Sequence, residues 1–455
     1  MKYLLTDEQT IADLSIFDKP GKTSIYTIFN KTKTQGGAHR LEMIFKNPWA
    51  DASPINRHAA LYQFFSQKEF VYPVDPITIG IIAFYLENDD VRTQIKPESE
   101  SFGEKIRNMV SIDAERQLIE DGVQACLRVF YQLNIFLQQE DSIAAESPYY
   151  EQFRRLEQIV YHDSFNGLRE AMNKDDRKLD TIRLAEFDKR LRFDHREFVL
   201  QLLELLYDLD VYIAVGQVAR NRKFCFAKAL ADRENFLHLH QVFHPALEQP
   251  IANNLDMDRE GNLIFLTGAN MAGKSTLMKS IGLSLYLGHM GFPVPAENME
   301  FAVRDGIFTN INLADSLSAG ASHFYAEVLR VKEIAKTLQS GKRLFVVFDE
   351  LFRGTNVKDA YDGTIELTRA FCRKKESQFI ISTHIMEAGE VLLKENLSIQ
   401  YLYLPTIMEG NHPKYTRVLK TGITDDRQGM IIINNEGILQ MLDNGLKKQK
   451  KLCNL

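Results

Sequence analysis

Residues Leu263–Thr276 read LIFLTGANMAGKST, and the remainder of the chain can be interpreted outward from them. Gly268, Gly273, Lys274 and Ser275 follow the spacing G-x-x-x-x-G-K-[ST], which is typical of the phosphate-binding loop of nucleotide hydrolases. Glycines let the backbone curl until successive N–H groups point at one phosphate. The four leading apolar residues predict a buried strand, and a helix is predicted to begin near Lys274.

The residue types of this loop fit phosphate chemistry. Lys274 is expected to reach the β- and γ-phosphates of a nucleotide, and the Ser275 hydroxyl is expected to ligate Mg²⁺. The alternative is a glycine-rich turn that arose by chance, but the flanking strand and helix argue against it. Nucleotide binding is therefore the first functional prediction.

Two later apolar runs also end in polar residues. Leu344–Phe348 is followed by Asp349 and Glu350, an order in which one carboxylate meets Mg²⁺ and the second meets the attacking water. Phe379–Ser382 is followed by Thr383 and then His384. Ligands bind at the carboxyl ends of parallel strands, so His384 is expected to face the γ-phosphate, with a purely structural histidine as the alternative.

The composition predicts a folded protein of two or three domains, because 455 residues exceed one ordinary core. No apolar run reaches the length of a membrane span, and no secretion signal follows Met1. We therefore expect a cytoplasmic protein without a membrane partner. A net charge of −6 argues against a surface coated with nucleic-acid-binding charge, although a local basic strip stays possible.

The first half of the chain carries helical periodicity. Apolar residues recur three and four apart over 104–139 and again over 191–221, which predicts two long helices. The apolar positions of the first are Ile119, Val123, Cys126, Phe130, Leu133 and Leu137. Residues 24–48 are expected to break at Gly36 and Gly37 and then to continue as a helix until Pro48.

Four arginines lie near the predicted ends of the long helices and could contact a phosphate backbone. They are Arg154, Arg155, Arg192 and Arg196. Acidic residues are interleaved with them, so a solvated helix face is the favoured interpretation. Further strands are predicted at Phe236–Leu247, Ile399–Leu404 and Tyr415–Leu419. The first contains His238, His240 and His244, but no acidic or thiol ligand nearby completes a metal site.

Five motifs in one order resemble the ATPase domain of the MutS family of DNA mismatch repair proteins, which is related to ABC-type ATPases. They are TGANMAGKST (267–276), VPAENMEF (294–301), GIFTNINLADSLSAGASHF (306–324), VVFDELFRGTN (346–356) and STH (382–384). Residues 24–48, SIYTIFNKTKTQGGAHRLEMIFKNP, look like the opening of the family's core domain, and the long helices look like its levers. The resemblance implies an α/β P-loop (ABC-type) ATPase domain preceded by a mostly α-helical core and lever domain.

The resemblance also implies ATP and Mg²⁺ as ligands. The nucleotide-binding set would be Gly268, Asn270, Met271, Ala272, Gly273, Lys274, Ser275 and Thr276. Mg²⁺ would be held by Ser275 and Asp349, and the catalytic residues would be Glu350, His384 and Lys274. Gly320 and Ser322 match the signature that meets ATP of the opposing subunit, which implies a homodimer through the ATPase domains with composite sites.

By this resemblance, residues 1–235 are the helical core and lever domain with a shortened tip at about 141–180, residues 236–446 are the ATPase domain, and 447–455 are a basic tail. Pro250 stands where the family often places an aromatic residue against adenine. The family's mismatch wedge, Phe-x-Glu, occurs only at 102–104 and 348–350. We therefore expect a short form without the N-terminal mismatch-recognition and connector domains.

The favoured function is an ATP-dependent, DNA-binding protein of the MutS kind, in which hydrolysis at composite dimer sites moves the levers on DNA without direct mismatch reading. Two alternatives remain open. One is a nucleotide-dependent protein-interaction module. The other is a regulatory partner of a full-length MutS homologue that makes no DNA contact of its own.

Overall fold

The computed structural model describes residues 2–17, 24–95, 109–139, 145–166, 168, 179–231, 235–311, 323–352, 354–409, 412–424 and 435–442. The chain divides into two compact units. The sheet unit comprises Met1–Tyr26, Asn47–Ala59 and Lys223–Leu455, and the helical unit comprises Thr27–Lys46 and Ala60–Arg222. The units interleave along the chain. The reason is that N-terminal residues join the sheet unit: the Leu5 N–H donates to the Asp305 carbonyl at 2.9 Å.

The sheet unit contains fourteen described strands. They are β1 (Cys225–Phe226), β2 (Lys228–Leu230), β3 (Leu237–Val242), β4 (Asn253–Met257), β5 (Leu263–Gly268), β6 (Pro293–Val294), β7 (Asn298–Ala302), β8 (Gly306–Asn310), β9 (Leu344–Asp349), β10 (Gln378–Ser382), β11 (Ile399–Leu404), β12 (Thr406–Glu409), β13 (His412–Tyr415) and β14 (Lys420–Thr421). Six of them form the main sheet, in the order β14-β11-β5-β10-β9-β8. The five from β11 to β8 are parallel, and β14 is antiparallel to β11.

The parallel strands are apolar because both faces of the sheet are covered. Every residue of β5 and of β10 is buried. The strands predicted at 263–266, 344–348, 379–382 and 399–404 are therefore confirmed. Because these strands are parallel, their carboxyl ends meet at one edge of the sheet, where polar residues follow them. A mixed α/β fold with a multi-strand parallel sheet is confirmed, and the P-loop fold stays a prediction.

A second sheet has the order β2-β7-β3-β4, and two pairs, β1-β6 and β12-β13, complete the strands of the described residues. The strand predicted at Phe236–Leu247 is confirmed over β3. The strand predicted at Tyr415–Leu419 is wrong, because only Tyr415 is extended within a ladder. Arg417 has a left-handed backbone with φ +57°. The Asn253 side chain holds this irregular stretch, since it donates to the Arg417 carbonyl at 3.0 Å.

Helices surround the main sheet. Those of the sheet unit are α1 (Glu8–Asp13), α10 (Lys274–Gly288), α11 (His323–Gln339), α12 (Val357–Cys372) and α13 (Met386–Leu393). Two more, α2 (Ile25–Phe29) and α4 (Ala52–Ser66), lie where the chain passes between units. The helix predicted near Lys274 is confirmed as α10. It begins directly after Gly273, whose φ of +105° is accessible to glycine at low cost.

The helical unit contains α3 (Gln35–Lys46), α5 (Pro76–Glu87), α6 (Met109–Gln139), α7 (Tyr150–Val160), α8 (Thr181–Asp188) and α9 (Arg196–Arg222). Short 3₁₀ turns occur at Val91–Thr93 and Asp163–Phe165, and a π turn occurs at Lys189–Asp194. The two long helices are confirmed as α6 and α9. All six apolar positions predicted for α6 are buried, with at most 4% of any of them exposed. Within the described residues no helix has the length and apolarity needed to cross a membrane.

The break predicted at Gly36 and Gly37 is wrong, because both glycines lie in the first turn of α3. Their role is close packing. A Cβ on Gly36 would lie 2.2 Å from the Tyr207 ring, and one on Gly37 would lie 2.4 Å from the Asp210 carboxylate. Thr34 Oγ1 caps the helix start by accepting the Gly37 N–H at 2.9 Å, and the Asp210 carboxylate of α9 holds Thr34 by accepting its N–H at 2.8 Å.

Candidate functional site

The glycine loop, Gly268–Thr276, joins the carboxyl end of β5 to α10. Gly268 has φ +150°, and a Cβ there would come 3.2 Å from the Leu404 carbonyl oxygen. The Ala272 N–H donates to the Ala269 carbonyl at 3.2 Å and closes a tight turn. Met271 at the crest of this turn is 78% exposed. The loop therefore forms a tight turn with an exposed crest, which fits the curled backbone expected of a phosphate site.

Lys274 is the first residue of α10 and lies under this loop. Its side chain is only 6% exposed, and its Nζ donates to the Gly268 carbonyl at 2.9 Å and to the Ala269 carbonyl at 3.3 Å. Burial lowers the pKa of the Lys274 ammonium, and the carboxylates of Asp349 and Glu350 oppose that shift. The Lys274 amine therefore lies against the glycine loop, where it is predicted to bind phosphate.

Asp349, the last residue of β9, is held by two hydroxyl groups. Ser275 Oγ donates to Oδ2, and Ser382 Oγ donates to Oδ1. Ser382 ends β10 and is the register partner of Asp349, so the sheet itself sets this contact. Carboxylate and hydroxyl oxygens are ligands that Mg²⁺ accepts, and the predicted pair Ser275 and Asp349 therefore fits that ion.

Ser382 was missed by sequence reasoning as a site residue. Its signal was available, because it ends a predicted strand two residues before His384. The Ser382 carbonyl also accepts the Glu350 N–H at 3.0 Å. Ser382 therefore contacts both acidic residues: Asp349, which ends β9, and Glu350, which follows it.

Glu350 and His384 form a second pair beside Asp349. His384 Nε2 hydrogen-bonds to Glu350 Oε1, and both side chains are partly exposed. Glu350 adopts a left-handed backbone with φ +58°, and Phe352 does so with φ +62°. Such backbone conformations cost on the order of 1–3 kcal/mol for residues other than glycine and concentrate at functional sites. The turn after β9 therefore carries two such residues, and one of them, Glu350, is the hydrogen-bond partner of His384.

A cavity of about 160 Å³ adjoins the glycine loop. Its lining includes Met271, Gly273, Thr276, Leu277, His244, Pro250, Ile251 and Arg417. Pro250 supplies an apolar wall where an aromatic residue was expected from the family. Burial lowers the pKa of His244, with Lys279 adding to the effect. The exposed Arg417 guanidinium makes no hydrogen bond or ion pair with another described residue.

The predicted site residues differ in what the structure says of them. It brings together the glycine loop, Ser275, Asp349, Glu350 and His384, and their chemical roles stay predictions. Gly320 and Ser322 lie outside the described residues, as do Arg353 and the basic tail.

The four arginines near the ends of the long helices, Arg154, Arg155, Arg192 and Arg196, divide into two kinds. Arg192 is fully buried, and its guanidinium donates to both Asp188 oxygens at 2.8 and 2.7 Å. Arg196 donates to the Leu86 carbonyl at 2.9 Å. Arg154 and Arg155 are exposed and pair with Glu157 and Glu151 on their own helix. The suggestion that Arg192 could contact DNA is therefore wrong, because its guanidinium is buried in an ion pair with Asp188 inside the helical unit.

The strand histidines have acidic neighbours that the sequence did not reveal. His238 Nδ1 lies 2.8 Å from Asp256 Oδ1, its cross-strand partner, and His240 Nδ1 lies 3.0 Å from Glu297 Oε2. Over the described part of the chain, no three or more His, Cys, Asp or Glu side chains are grouped as metal ligands. His238 and His240 therefore each have one carboxylate partner rather than a set of metal ligands.

Comparison with known proteins places this geometry in context. Residues 264–452 match the family model described as MutS domain V. The DNA mismatch repair protein MutS of Listeria monocytogenes serotype 4a is 27% identical over 272 residues, covering 56% of this chain and 31% of that protein. The MutS of Chlamydia trachomatis serovar L2b is 28% identical over 376 residues, covering 74% of this chain and 43% of that protein. The chain thus spans less than half the length of these relatives.

Proposed function

We propose that the sheet unit, in a chain whose residues 264–452 match domain V of the MutS family, binds and hydrolyses ATP with Mg²⁺. One observation carries the proposal. The carboxyl ends of three adjacent parallel strands bring the glycine loop, the Asp349–Ser275 contact and the Glu350–His384 pair to one edge of the sheet. Ligands of parallel α/β sheets bind at that edge.

Each residue has a distinct role in this proposal. The loop N–H groups and Lys274 bind the phosphates, and Ser275 and Asp349 hold Mg²⁺, which supplies positive charge against the developing charge on the phosphoryl group. Glu350 orients the attacking water and takes its proton. His384 fixes the Glu350 carboxylate and faces the γ-phosphate. The cavity beside Met271 receives the base.

The active form in this proposal is a homodimer joined through the sheet units. Gly320 and Ser322 of one copy meet ATP held by the other, so that each site takes its loop and its signature from different subunits. ATP binding then closes the dimer, and hydrolysis reopens it. The helical units transmit this motion to DNA in a mismatch-repair type of process.

Mismatch reading is not part of this proposal. One of the two Phe-x-Glu triplets in the sequence, 348–350, is the end of β9 and the turn that follows it. The other, 102–104, lies outside the described residues. The segments proposed as domains remain 1–235, 236–446 and 447–455, although the compact units interleave.

A protein partner for the helical unit is the second candidate, and charge favours it. Residues 27–46 and 60–222 contain 24 Lys and Arg and 30 Asp and Glu, a net charge of −6 that equals the net charge of the whole chain. DNA binding depends on local clusters of positive charge. Arg154 and Arg155 contribute little net positive charge to such a cluster, because each forms an ion pair with a glutamate of its own helix.

The rate of ATP hydrolysis on different DNA ligands tests the proposal. We expect Mg²⁺-dependent turnover by the purified chain that Lys274→Ala abolishes, and stimulation by at least one of homoduplex, mismatched, branched or single-stranded DNA. Turnover without any response to DNA would favour the protein partner. No turnover with or without DNA would contradict the ATPase proposal itself.

Mixed dimers test the composite site. Ser322→Ala and Lys274→Ala chains are each expected to be inactive. Random pairing makes half of the dimers mixed, and each mixed dimer has one intact site, so an equal mixture should recover about a quarter of the wild-type rate. No recovery would exclude the sharing of sites between subunits.

A further inference from the structure

A groove along α9 is a feature of the helical unit that ATP hydrolysis does not use. It has a volume of about 720 Å³ and is lined by residues of α7, of the turn after α7 and of α9, all of which belong to the helical unit. Its apolar lining comes from Ile159 of α7 and from Phe198 and Leu205 of α9. Ile159 is buried, whereas Phe198 and Leu205 are partly exposed. This α9 groove therefore offers a concave, partly apolar surface to a ligand.

Three carboxylates line the same groove. Glu197, Glu204 and Asp208 follow one another at spacings of seven and four residues, so they share one side of α9. This acidic row is about 17 Å long at the helical rise of about 1.5 Å per residue. Among the described lining residues Arg155 is the only Lys or Arg, so three negative charges and one positive charge leave a net charge of −2. Glu197 forms no ion pair with any residue that the structure describes.

The ion pairs around the groove do not neutralise this charge. Arg155 pairs with Glu151 at 2.7 Å, and Arg40 of α3 lies 2.7 Å from Asp208 and 3.4 Å from Glu204. Counting Glu151 and Arg40 with the lining adds one negative and one positive charge, so the net charge stays −2. The Glu204 side chain keeps 60% of its surface exposed despite its contact with Arg40. The acidic row is therefore accessible to a cationic ligand.

We propose that the α9 groove binds one amphipathic helix of a partner protein, with apolar side chains against Phe198 and Leu205 and with Lys or Arg against the acidic row. This inference rests on the second candidate function, a protein partner for the helical unit, and names the chemistry of that partner. Helix-in-groove recognition uses anchors three and four residues apart, and the acidic row extends over three turns at such spacings. Opposite charge steers and orients the partner, whereas a phosphate backbone would be repelled.

A synthetic peptide tests the groove. The probe is a fluorescent peptide of about 18 residues, or five helical turns, with leucine on one face and lysine on the other. Fluorescence anisotropy should show that it binds the wild-type chain at least about 10-fold more tightly than two related peptides do, one with glutamate in place of lysine and one with alanine in place of leucine. The Lys274→Ala chain should bind the probe as the wild type does, because the groove lies in the helical unit.

Charge reversal locates the binding site. Glu197→Lys combined with Glu204→Lys should weaken the leucine–lysine peptide at least about 10-fold, because like charges then face each other. Both residues are exposed, and circular dichroism checks that the fold is kept. Glu87→Lys combined with Asp121→Lys is the matched control, since both are exposed acids of the helical unit and neither is among the described residues that line the groove. The control should weaken the peptide by less than about twofold at physiological salt, where distant charges are screened.

The other occupants are outcomes of the same experiment. Equal losses in the two double variants would show a general attraction to an acidic unit and would overturn the groove, as would equal binding of the lysine and glutamate peptides. Duplex DNA that displaces the probe would assign the groove to nucleic acid and contradict the proposal.

A second copy of the chain is the remaining occupant. A dimer without nucleotide that Glu197→Lys with Glu204→Lys dissociates, measured by analytical ultracentrifugation, would make the groove an interface between copies and overturn the partner helix. Absence of probe binding would overturn this inference alone, because the response of ATP hydrolysis to DNA tests the second candidate function separately.

Discussion

The sheet unit and the helical unit both hold carboxylates with hydrogen bonds, but the carboxylates serve different purposes. Asp349 accepts from Ser275 and Ser382 at the open edge of a parallel sheet, where it still faces solvent beside the glycine loop. Asp188 accepts from Arg192 and from Tyr85 in the core of the helical unit, with no exposed surface. Location therefore decides what each carboxylate does. The one at the strand ends is open to a ligand, and the buried one joins elements together.

The largest effect is expected where the sheet unit carries its chemistry. Glu350→Gln should retain ATP and lose turnover by about 100-fold or more, because general base catalysis contributes about 10²–10⁴ in rate. Phosphate release and equilibrium ATP binding measure the two halves of this prediction. Glu390→Gln, an exposed acid on α13, is the control. Wild-type turnover by the Glu350 variant would remove Glu350 from the mechanism.

The helical unit should respond in stability instead. Arg192→Met leaves Asp188 buried without its ion pair, and loss of one partner of a buried pair costs about 3–5 kcal/mol in the free energy of unfolding. Denaturant unfolding followed by circular dichroism, with hydrogen exchange of α8 and α9, measures the loss. Arg155→Ala should change it by less than about 0.5 kcal/mol, because exposed pairs contribute little. Similar losses for both variants would contradict the contrast.

Acid should weaken the sheet unit through His289. Burial lowers the pKa of this histidine to about 4, and its Nδ1 lies 2.7 Å from the Trp49 carbonyl. The unfolded chain takes up a proton near its ordinary pKa of about 6.5 and the folded chain does not, so stability is complete above about pH 6.5 and falls as the pH approaches 4.

The expected loss from His289 is about 3 kcal/mol across that interval, at about 1.4 kcal/mol per pH unit. Fluorescence of Trp49, the single tryptophan, reports the sheet unit during denaturant unfolding. His289→Gln should reduce the number of protons taken up on unfolding by up to one, and so flatten the plot of the free energy of unfolding against pH. The substitution His238→Gln, at an exposed residue, should leave that plot unchanged. An unchanged slope in the His289 variant would show that the acid sensitivity has another source.

The smallest expected effect concerns the base. Arg417 offers only donors to the cavity, and guanine presents two adjacent acceptors, O6 and N7, where adenine pairs N7 with a donor. Arg417→Ala should therefore weaken GTP by about 10-fold and ATP by less. Equilibrium binding of both nucleotides measures it, with Arg259→Ala, a surface arginine paired with Glu376, as the control. Equal effects on both nucleotides would remove Arg417 from base recognition.

The same contrast explains how much the sequence could predict. The glycine loop and the strand ends at Asp349 and His384 are encoded by short, contiguous patterns, so their elements were located from the residues alone. The α6 stripe was also located, because helical burial is periodic. The Tyr415–Leu419 strand failed because Asn253, far away in sequence, imposes the local backbone there.

What the sequence could not supply is the choice of partner. Arg192 and Arg155 look alike in a helical pattern, and only the fold shows that one is buried against Asp188. The same holds for Asp13, whose contact with Thr309 joins residues 296 apart in the chain. Gly36 and Gly37 resemble a turn in the sequence, but in the fold the Tyr207 ring excludes a side chain at Gly36 and the Asp210 carboxylate excludes one at Gly37.

The central claim, an ATPase whose sites are shared between two copies, is tested most directly by the mass of the Glu350→Gln chain in solution. Analytical ultracentrifugation with ATP and Mg²⁺ should give a dimer that binds one ATP per chain, and omission of the nucleotide should shift the equilibrium toward monomer. A monomer that holds ATP under the same conditions would contradict the account.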